Sequence, residues 1–318
     1  MNGFIDMGAI AMTGFFLLSG YTLNLTNQKV NDASDIKHFY IKRLITILPL
    51  YYVYALLNIA QNILFDGSGA LTEELILLPI ETLGIQSVFA TLFPYSHNGG
   101  SWFISCILIC YFLYPLLQTL TKGLSDNTRI WIILTFGFIL LWSPFVQHYF
   151  QLQTIYSNPF FRVLEFTIGV LVSQMNLHAE TGNKLILLLR SPRMCILTVI
   201  CLIVGVSIAY YIGIPHDFML YNWVALPCFI SLLVSLGYIQ FRPRKFVQYM
   251  SNISFSIFLS QLIVVWRGVQ YVLSYIGCDS NTAKIFVSAM VCFFIANLLH
   301  FCIEKPATKY LKTKFVNK

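Results

Sequence analysis

The chain has 318 residues, of which 57% are hydrophobic and 10% charged, with a formal net charge of +7 and a mean hydropathy of +0.72. A water-soluble domain of this length is excluded by so apolar a composition, and too few polar residues remain for a separate soluble domain. The excess positive charge fits anionic inner-leaflet lipid as the partner, with no nucleic acid invoked.

A bilayer core of about 30 Å takes roughly 20 apolar residues per helix. Such stretches cover 8–25, 44–64, 101–120, 130–147, 159–177, 195–214, 220–239, 250–275 and 283–304. These predict an all-α polytopic transmembrane bundle of nine spans, a single domain over residues 1–318.

In chain order, Lys29, Lys37, Lys42 and Arg43 follow the first span. Tyr40, Lys42 and Arg43 open the second helix and have two readings. One is ordinary positive-inside bias; the other is a clamp for the phosphates of coenzyme A at the inner mouth of the protein. The connection 65–100 carries neither Lys nor Arg. Its apolar stretch from Leu75 to Phe93, interrupted by Pro79, Glu81 and Gly84, reads as a helix that does not cross, because a crossing there would invert every later loop. His97, Asn98, Gly99, Gly100, Ser101 and Trp102 then lead into the third span. His97 has the chemistry of a general base or is a solvated loop histidine, Asn98 is a candidate substrate contact, and Trp102 is an interfacial belt residue or part of a cavity. Cys106 and Cys110 share a helix face without His or carboxylate beside them, so they read as packing residues, and no metal site is expected.

Lys122 and Arg129 follow the third span, and Lys184, Arg190 and Arg193 follow the fifth. Arg162 and Glu165, inside the fifth, are spaced to share one helix face and pair. They form either a structural lock or a charged wall of a substrate cavity. Arg242, Arg244 and Lys245 follow the seventh span. Arg267 in the eighth reads as snorkelling outward or as an anion clamp, and Lys284 as an interfacial anchor. Lys305, Lys309, Lys312, Lys314 and Lys318 close the chain, so that seventeen of the twenty basic residues fall on one side. The connections 148–158, 215–219 and 276–282 carry none. This places Met1 outside and Lys318 in the cytoplasm, an orientation reached either through one further span before Met1, the favoured reading, or by unaided insertion of the first span as a reverse anchor.

Six segments resemble the type-three membrane acyltransferases, a family that includes O-acetyltransferases of bacterial surface polysaccharides. Gly14 to Tyr21 (GFFLLSGY) is similar to its FFxLSGF helix, Phe39 to Tyr51 (FYIKRLITILPLY) to its FYxRRxxRIxPxY segment, and Ser101 to Pro115 to its SWFLS…YLLYP helix. Arg162 to Gly169 (RVLEFTIG), Ile253 to Leu259 (ISFSIFL) and Phe301 to Pro306 (FCIEKP) follow in family order. The resemblance implies a bundle of ten spans that passes an acyl group, usually acetyl, from coenzyme A on the cytoplasmic side to a hydroxyl of an envelope glycan or glycolipid at the bacterial plasma membrane.

The resemblance also implies a catalytic His on a helix preceding the first span, relative to which this chain is N-terminally truncated. Tyr40, Lys42 and Arg43 would hold acetyl-CoA, and Trp102, Ser105, Arg162 and Glu165 would shape the acceptor cavity. Four positions depart from the family: Thr46 replaces a second Arg, Gln261 stands where a His is usual, and Ile107 and Leu108 stand where some subfamilies carry carboxylates. Gln261 remains a candidate substrate contact. A polysaccharide-unit transporter is the first alternative, but it would show two similar halves with broken helices, and none is seen. A catalytically inactive remnant or accessory subunit is the second.

Overall fold

The computed structural model describes residues 8–27, 30, 32–90, 101–152, 155–175, 184–213, 221–238, 244–261, 268–277 and 280–316. Among them every regular element is helical. In order these are α1 (Gly8–Thr26), α2 (Ala33–Asp66), α3 (Ser68–Leu83), α4 (Gln86–Ala90), α5 (Ser101–Thr121), α6 (Asp126–Phe150), α7 (Pro159–Ser173), α8 (Lys184–Leu189), α9 (Pro192–Ile212), α10 (Asn222–Tyr238), α11 (Lys245–Ser260), α12 (Gln270–Tyr275) and α13 (Asn281–Leu299). A π-helical turn (His300–Glu304) then leads into α14 (Lys305–Phe315). Five helical stretches, Ala33–Phe65, Trp102–Thr121, Asp126–Phe150, Pro192–Ile212 and Thr282–Phe315, are long and apolar enough to cross a membrane. The expected spans 8–25 and 220–239 fall on shorter apolar helices. The span expected at 159–177 falls on the 15 residues of α7, about 22 Å of helix against a core of about 30 Å. Among the described residues, then, five of the nine expected spans stand on length and composition, and the span expected at 250–275 includes residues 262–267, which lie outside the described residues.

The chain forms two compact units. The first comprises Met1–Asp32, Ser87–Tyr95 and Ser105–Phe241, the second Ala33–Gln86, Ser96–Ile104 and Arg242–Lys318.

In the first unit α1 and α7 touch backbone to backbone. A Cβ added to Gly20 would lie 2.0 Å from the carbonyl oxygen of Phe166, and one on Gly169 would lie 1.9 Å from that of Leu17. Only a hydrogen fits at either place, the usual device for bringing membrane helices close where no hydrophobic effect drives them together. Around this crossing Leu17, Leu140, Ile168, Leu171 and Leu226 form the core.

The pairings along the helices fix their directions. Thr13 meets Glu165 while Gly20 meets Val170, so α1 and α7 are parallel. Cys106 meets Ser157 while Thr121 meets Gln174, so α5 runs the same way. Ile10 packs against Ala225 and Gly14 against Phe229, which adds α10 to the set. α9 is antiparallel to α10, with Thr198 on Ser231 and Gly205 on Val224. Within this unit α1, α5, α7 and α10 thus share one direction.

In the second unit α2 turns back at Gly67, whose φ of 78° is open to glycine without strain, and α3 lies along it. The 16 residues of α3 reach about 24 Å. Its last carbonyls have no next turn to serve them, and three groups satisfy them. The Tyr51 hydroxyl donates to the Glu81 carbonyl at 2.7 Å, the Tyr52 hydroxyl to that of Thr82 at 3.0 Å, and the N–H of Gly84, in the left-handed region at φ 67°, to Glu81 at 3.0 Å. The apolar stretch from Leu75 is thus broken at Gly84. Near the chain's end, the Ser256 hydroxyl of α11 donates to the Glu304 carboxylate at 2.7 Å, and the His300 ring lies 2.9 Å from the same oxygen.

Gly20→Ala and Gly169→Ala are each expected to cost about 3 kcal/mol or more, because a backbone must move to admit the methyl group. Gly137→Ala, whose new methyl would meet its nearest atom only at 4.0 Å, is expected to be neutral or stabilising by up to about 1 kcal/mol. Unfolding of the three variants in detergent checks the contrast.

Candidate functional site

α7 begins at a fixed residue. The side chain of Asn158 accepts the N–H of Phe160 at 2.9 Å and Pro159 occupies the first turn, a start that suits both residue types. Arg162 therefore falls one turn in, and Glu165 projects from the same face. Arg162 Nη1 donates to Glu165 Oε2 at 2.7 Å, and its Nε donates to the Tyr156 carbonyl at 2.8 Å. The guanidinium also lies over two rings, Phe16 at 5.5 Å and Tyr156 at 4.8 Å. Both charged side chains are 0% exposed.

The other carboxylate oxygen is reached from α1. Thr13 Oγ1 lies 2.9 Å from Glu165 Oε1 and 2.9 Å from the Asn222 amide of α10. One hydroxyl proton cannot serve two acceptors. The network closes when Thr13 donates to Glu165 and accepts from Asn222 Nδ2, an amide orientation that also gives a partner to a nitrogen otherwise left without one. Removing two charges from water costs several kcal/mol per ion, and such a pair persists only where further hydrogen bonds satisfy both partners. Here Thr13, Tyr156 and two aromatic faces do so. Burial pushes the phenol of Tyr156 up to about 12, against the lowering effect of Arg162, so it remains a hydrogen-bond donor at neutral pH.

A second polar layer adjoins the loop that carries Tyr156. The Cys106 thiol of α5 lies 3.4 Å from the Ser157 carbonyl and 3.5 Å from the Ser87 hydroxyl. Ser87 Oγ in turn donates to Ser105 Oγ at 2.7 Å, and its N–H donates to the same oxygen at 3.2 Å. Further along α5, Gln118 Nε2 donates to the Asn27 carbonyl at 2.7 Å while its oxygen accepts the Val30 N–H at 3.2 Å. That clamp fixes the end of α1.

Of the residues expected from sequence, Arg162 and Glu165 therefore meet in the first unit, and Ser105 lies in the adjoining polar layer on Ser87. Thr13, Asn222, Tyr156 and Ser87 complete the cluster and were not anticipated; being uncharged, they leave no mark in a charge count. The second unit holds the others. Tyr40 and Lys42 lie on the first turns of α2, half-buried and exposed respectively, and half-buried Arg43 stacks on Phe39 at 5.6 Å. An exposed ammonium beside a ring-supported guanidinium is chemically suited to phosphate. Trp102 is buried at the start of α5, edge-on to Phe103, which packs on Phe258 at 4.5 Å. Gln261 caps α11 through its backbone N–H to the Ile257 carbonyl and is half-buried. His97, Asn98 and Arg267 lie outside the described residues.

A family profile described as an acyltransferase domain, of type three, matches residues 2–302. A curated relative, the acyltransferase MdmB of Streptomyces mycarofaciens, is 26% identical over 188 residues, which cover 52% of this chain and 46% of that protein. The chain thus spans about half the length of the curated relative it matches. No solved structure matches significantly.

If the buried pair acts as one unit, Arg162→Met and Glu165→Gln should each cost about 3–5 kcal/mol, since each leaves an uncompensated charge. The double variant should cost less than the sum by at least about 1 kcal/mol. Additive losses in a double-mutant cycle, read by unfolding in detergent, would show that the two are not coupled.

Proposed function

As a chain that belongs to the type-three acyltransferase domain family, we propose, this protein transfers an acyl group, acetyl by preference, from acyl-CoA to a hydroxyl of a cell-envelope polysaccharide or glycolipid. In this reading it is one multi-pass domain of the bacterial plasma membrane with its C-terminus in the cytoplasm. The observation that carries the proposal is the fully buried Thr13–Glu165–Arg162 network in a bundle of apolar helices, since ionisable groups at membrane depth are expensive and are retained for function.

The reaction needs the acceptor O–H to lose its proton to a base while the oxygen attacks the thioester carbonyl. The C–S bond then breaks, and the departing thiolate takes up a proton. Tyr40, Lys42 and Arg43 are assigned to the donor's phosphates. Ser105, Arg162 and Glu165, with Trp102, Asn98 and Gln261, are assigned to the acceptor side. Because Arg162 is held from several directions, its positive charge keeps a fixed position, and a charge that need not reorganise is the kind that stabilises a developing oxyanion. His97 is the candidate base within this chain.

The phosphate assignment predicts that Lys42→Ala and Arg43→Ala each raise the KM for acetyl-CoA about tenfold, the loss of one charge-assisted hydrogen bond, with the acceptor KM unchanged. Steady-state transfer of labelled acetyl to envelope glycan in membranes checks this. An unaltered acetyl-CoA KM in both variants would remove these residues from the donor site.

A further inference from the structure

The last helix carries a surface that none of these assignments uses. Thr282–Phe315 is one helical stretch of 34 residues, about 51 Å long against about 30 Å of hydrocarbon. Between Lys284 and Glu304 it holds no acidic or basic side chain apart from His300. That charge-free part has the length of one crossing. α14, the 11 residues that follow, is therefore surplus to the hydrocarbon and begins at the level of the lipid headgroups.

α14 has two faces. Ala307, Thr308, Leu311 and Lys312 are half-buried, and the helix packs on α2. Lys305, Lys309, Tyr310, Lys314 and Phe315 are exposed, with Tyr310 at 63% and Phe315 at 53%. Lys305 and Lys309, and Tyr310 and Lys314, are each four residues apart, so these side chains form one stripe. Phe301, a turn earlier, extends it. The ammonium groups lie beside the rings: Lys305 is 5.6 Å from Phe301, and Lys314 is 5.4 Å from Phe315 and 5.9 Å from Tyr310. The single acid of residues 301–318, Glu304, is half-buried and bonded to Ser256 and His300, so it does not neutralise the stripe.

The chemistry of the stripe restricts what would cover it. A soluble anion would answer the lysines and leave the rings in water. A bilayer without net charge would take the rings and leave the lysines uncompensated. An anionic phospholipid answers both, with its phosphate level with the ammonium groups and its glycerol and first methylenes against the rings. Positive-inside bias alone would account for lysines at this end, but it requires neither aromatic neighbours nor a shared face.

We propose that the exposed stripe of α14, from Lys305 to Phe315, is a docking surface for anionic phospholipid headgroups that seats this helix on the bilayer. The proposal rests on the crossing made by Thr282–Phe315 and is independent of the acyl-transfer reading.

The test places the full chain in nanodiscs of phosphatidylcholine, alone or with an equal part of phosphatidylglycerol, and follows backbone hydrogen exchange over residues 305–315 by mass spectrometry. Exchange should be at least about tenfold slower with phosphatidylglycerol, and the difference should shrink in high salt. Each lysine near an anionic surface contributes about fivefold. The triple variant Lys305→Gln, Lys309→Gln, Lys314→Gln should therefore lose most of the difference, while Arg at the same three positions should keep it. Tyr310→Ser combined with Phe315→Ser should speed exchange in both lipids. Equal exchange of the wild type in the two lipids would overturn the proposal. So would a lipid effect as large in the Gln triple variant as in wild type, because the slowing would then come from depletion of hydroxide at an anionic surface and not from the lysines. If the Gln triple variant does not fold, the wild-type lipid and salt comparisons with the Arg triple variant decide the matter.

Discussion

The contact on which the first unit depends is the crossing of α1 and α7 at Gly20 and Gly169. Each glycine presents a bare backbone to a carbonyl of the other helix, so the two helices sit closer than any pair carrying side chains there could. The closeness has a chemical consequence. Thr13 has a short side chain, and it reaches Glu165 at 2.9 Å only because the helix axes are drawn together about two turns further along. From that single bond the rest follows: Glu165 is held for Arg162, Arg162 for the Tyr156 loop, and Thr13 for Asn222 at the head of α10. In a bilayer, where lipid competes equally for every apolar surface, steric fit and satisfied polar groups hold helices together. This interface has both.

The second unit solves a different problem with the same physics. A helix that stops short leaves its last carbonyls without a next turn to serve them. In α3 they are served by two consecutive tyrosines of the neighbouring helix and by a left-handed glycine. Tyr51 closes the second of the family-like segments, and its position there has a plain structural role as a cap. Its neighbour Tyr54, one turn away, has the same chemistry and no such task.

Charge patterning carried much of this into the sequence. Because basic residues mark alternate connections, the common direction of α1, α5, α7 and α10 and the interruption at Gly84 could be anticipated, and the spacing of Arg162 and Glu165 announced their pairing. Apolar length was a poorer guide, since α7 is only 15 residues long yet runs parallel to longer partners. Thr13, Asn222 and Ser87 were illegible because a lone hydroxyl or amide in an apolar helix has no signature until its partner is known, and those partners are distant in the chain. Gly20 and Gly169 each lay at or beside the end of a recognisable segment, but a close approach is a property of two helices and cannot be read from either alone.

The central claim is that the glycine crossing creates the buried polar network, and coupling between the two tests it most directly. Thr13→Val, Gly169→Ala and the double variant should be compared for unfolding free energy. The account predicts that Thr13→Val is costly in the wild-type background and nearly free once Gly169→Ala has moved α7 away, a departure from additivity of about 1 kcal/mol or more. If Thr13→Val costs the same in both backgrounds, the hydroxyl reaches Glu165 without the crossing, and the claim is wrong.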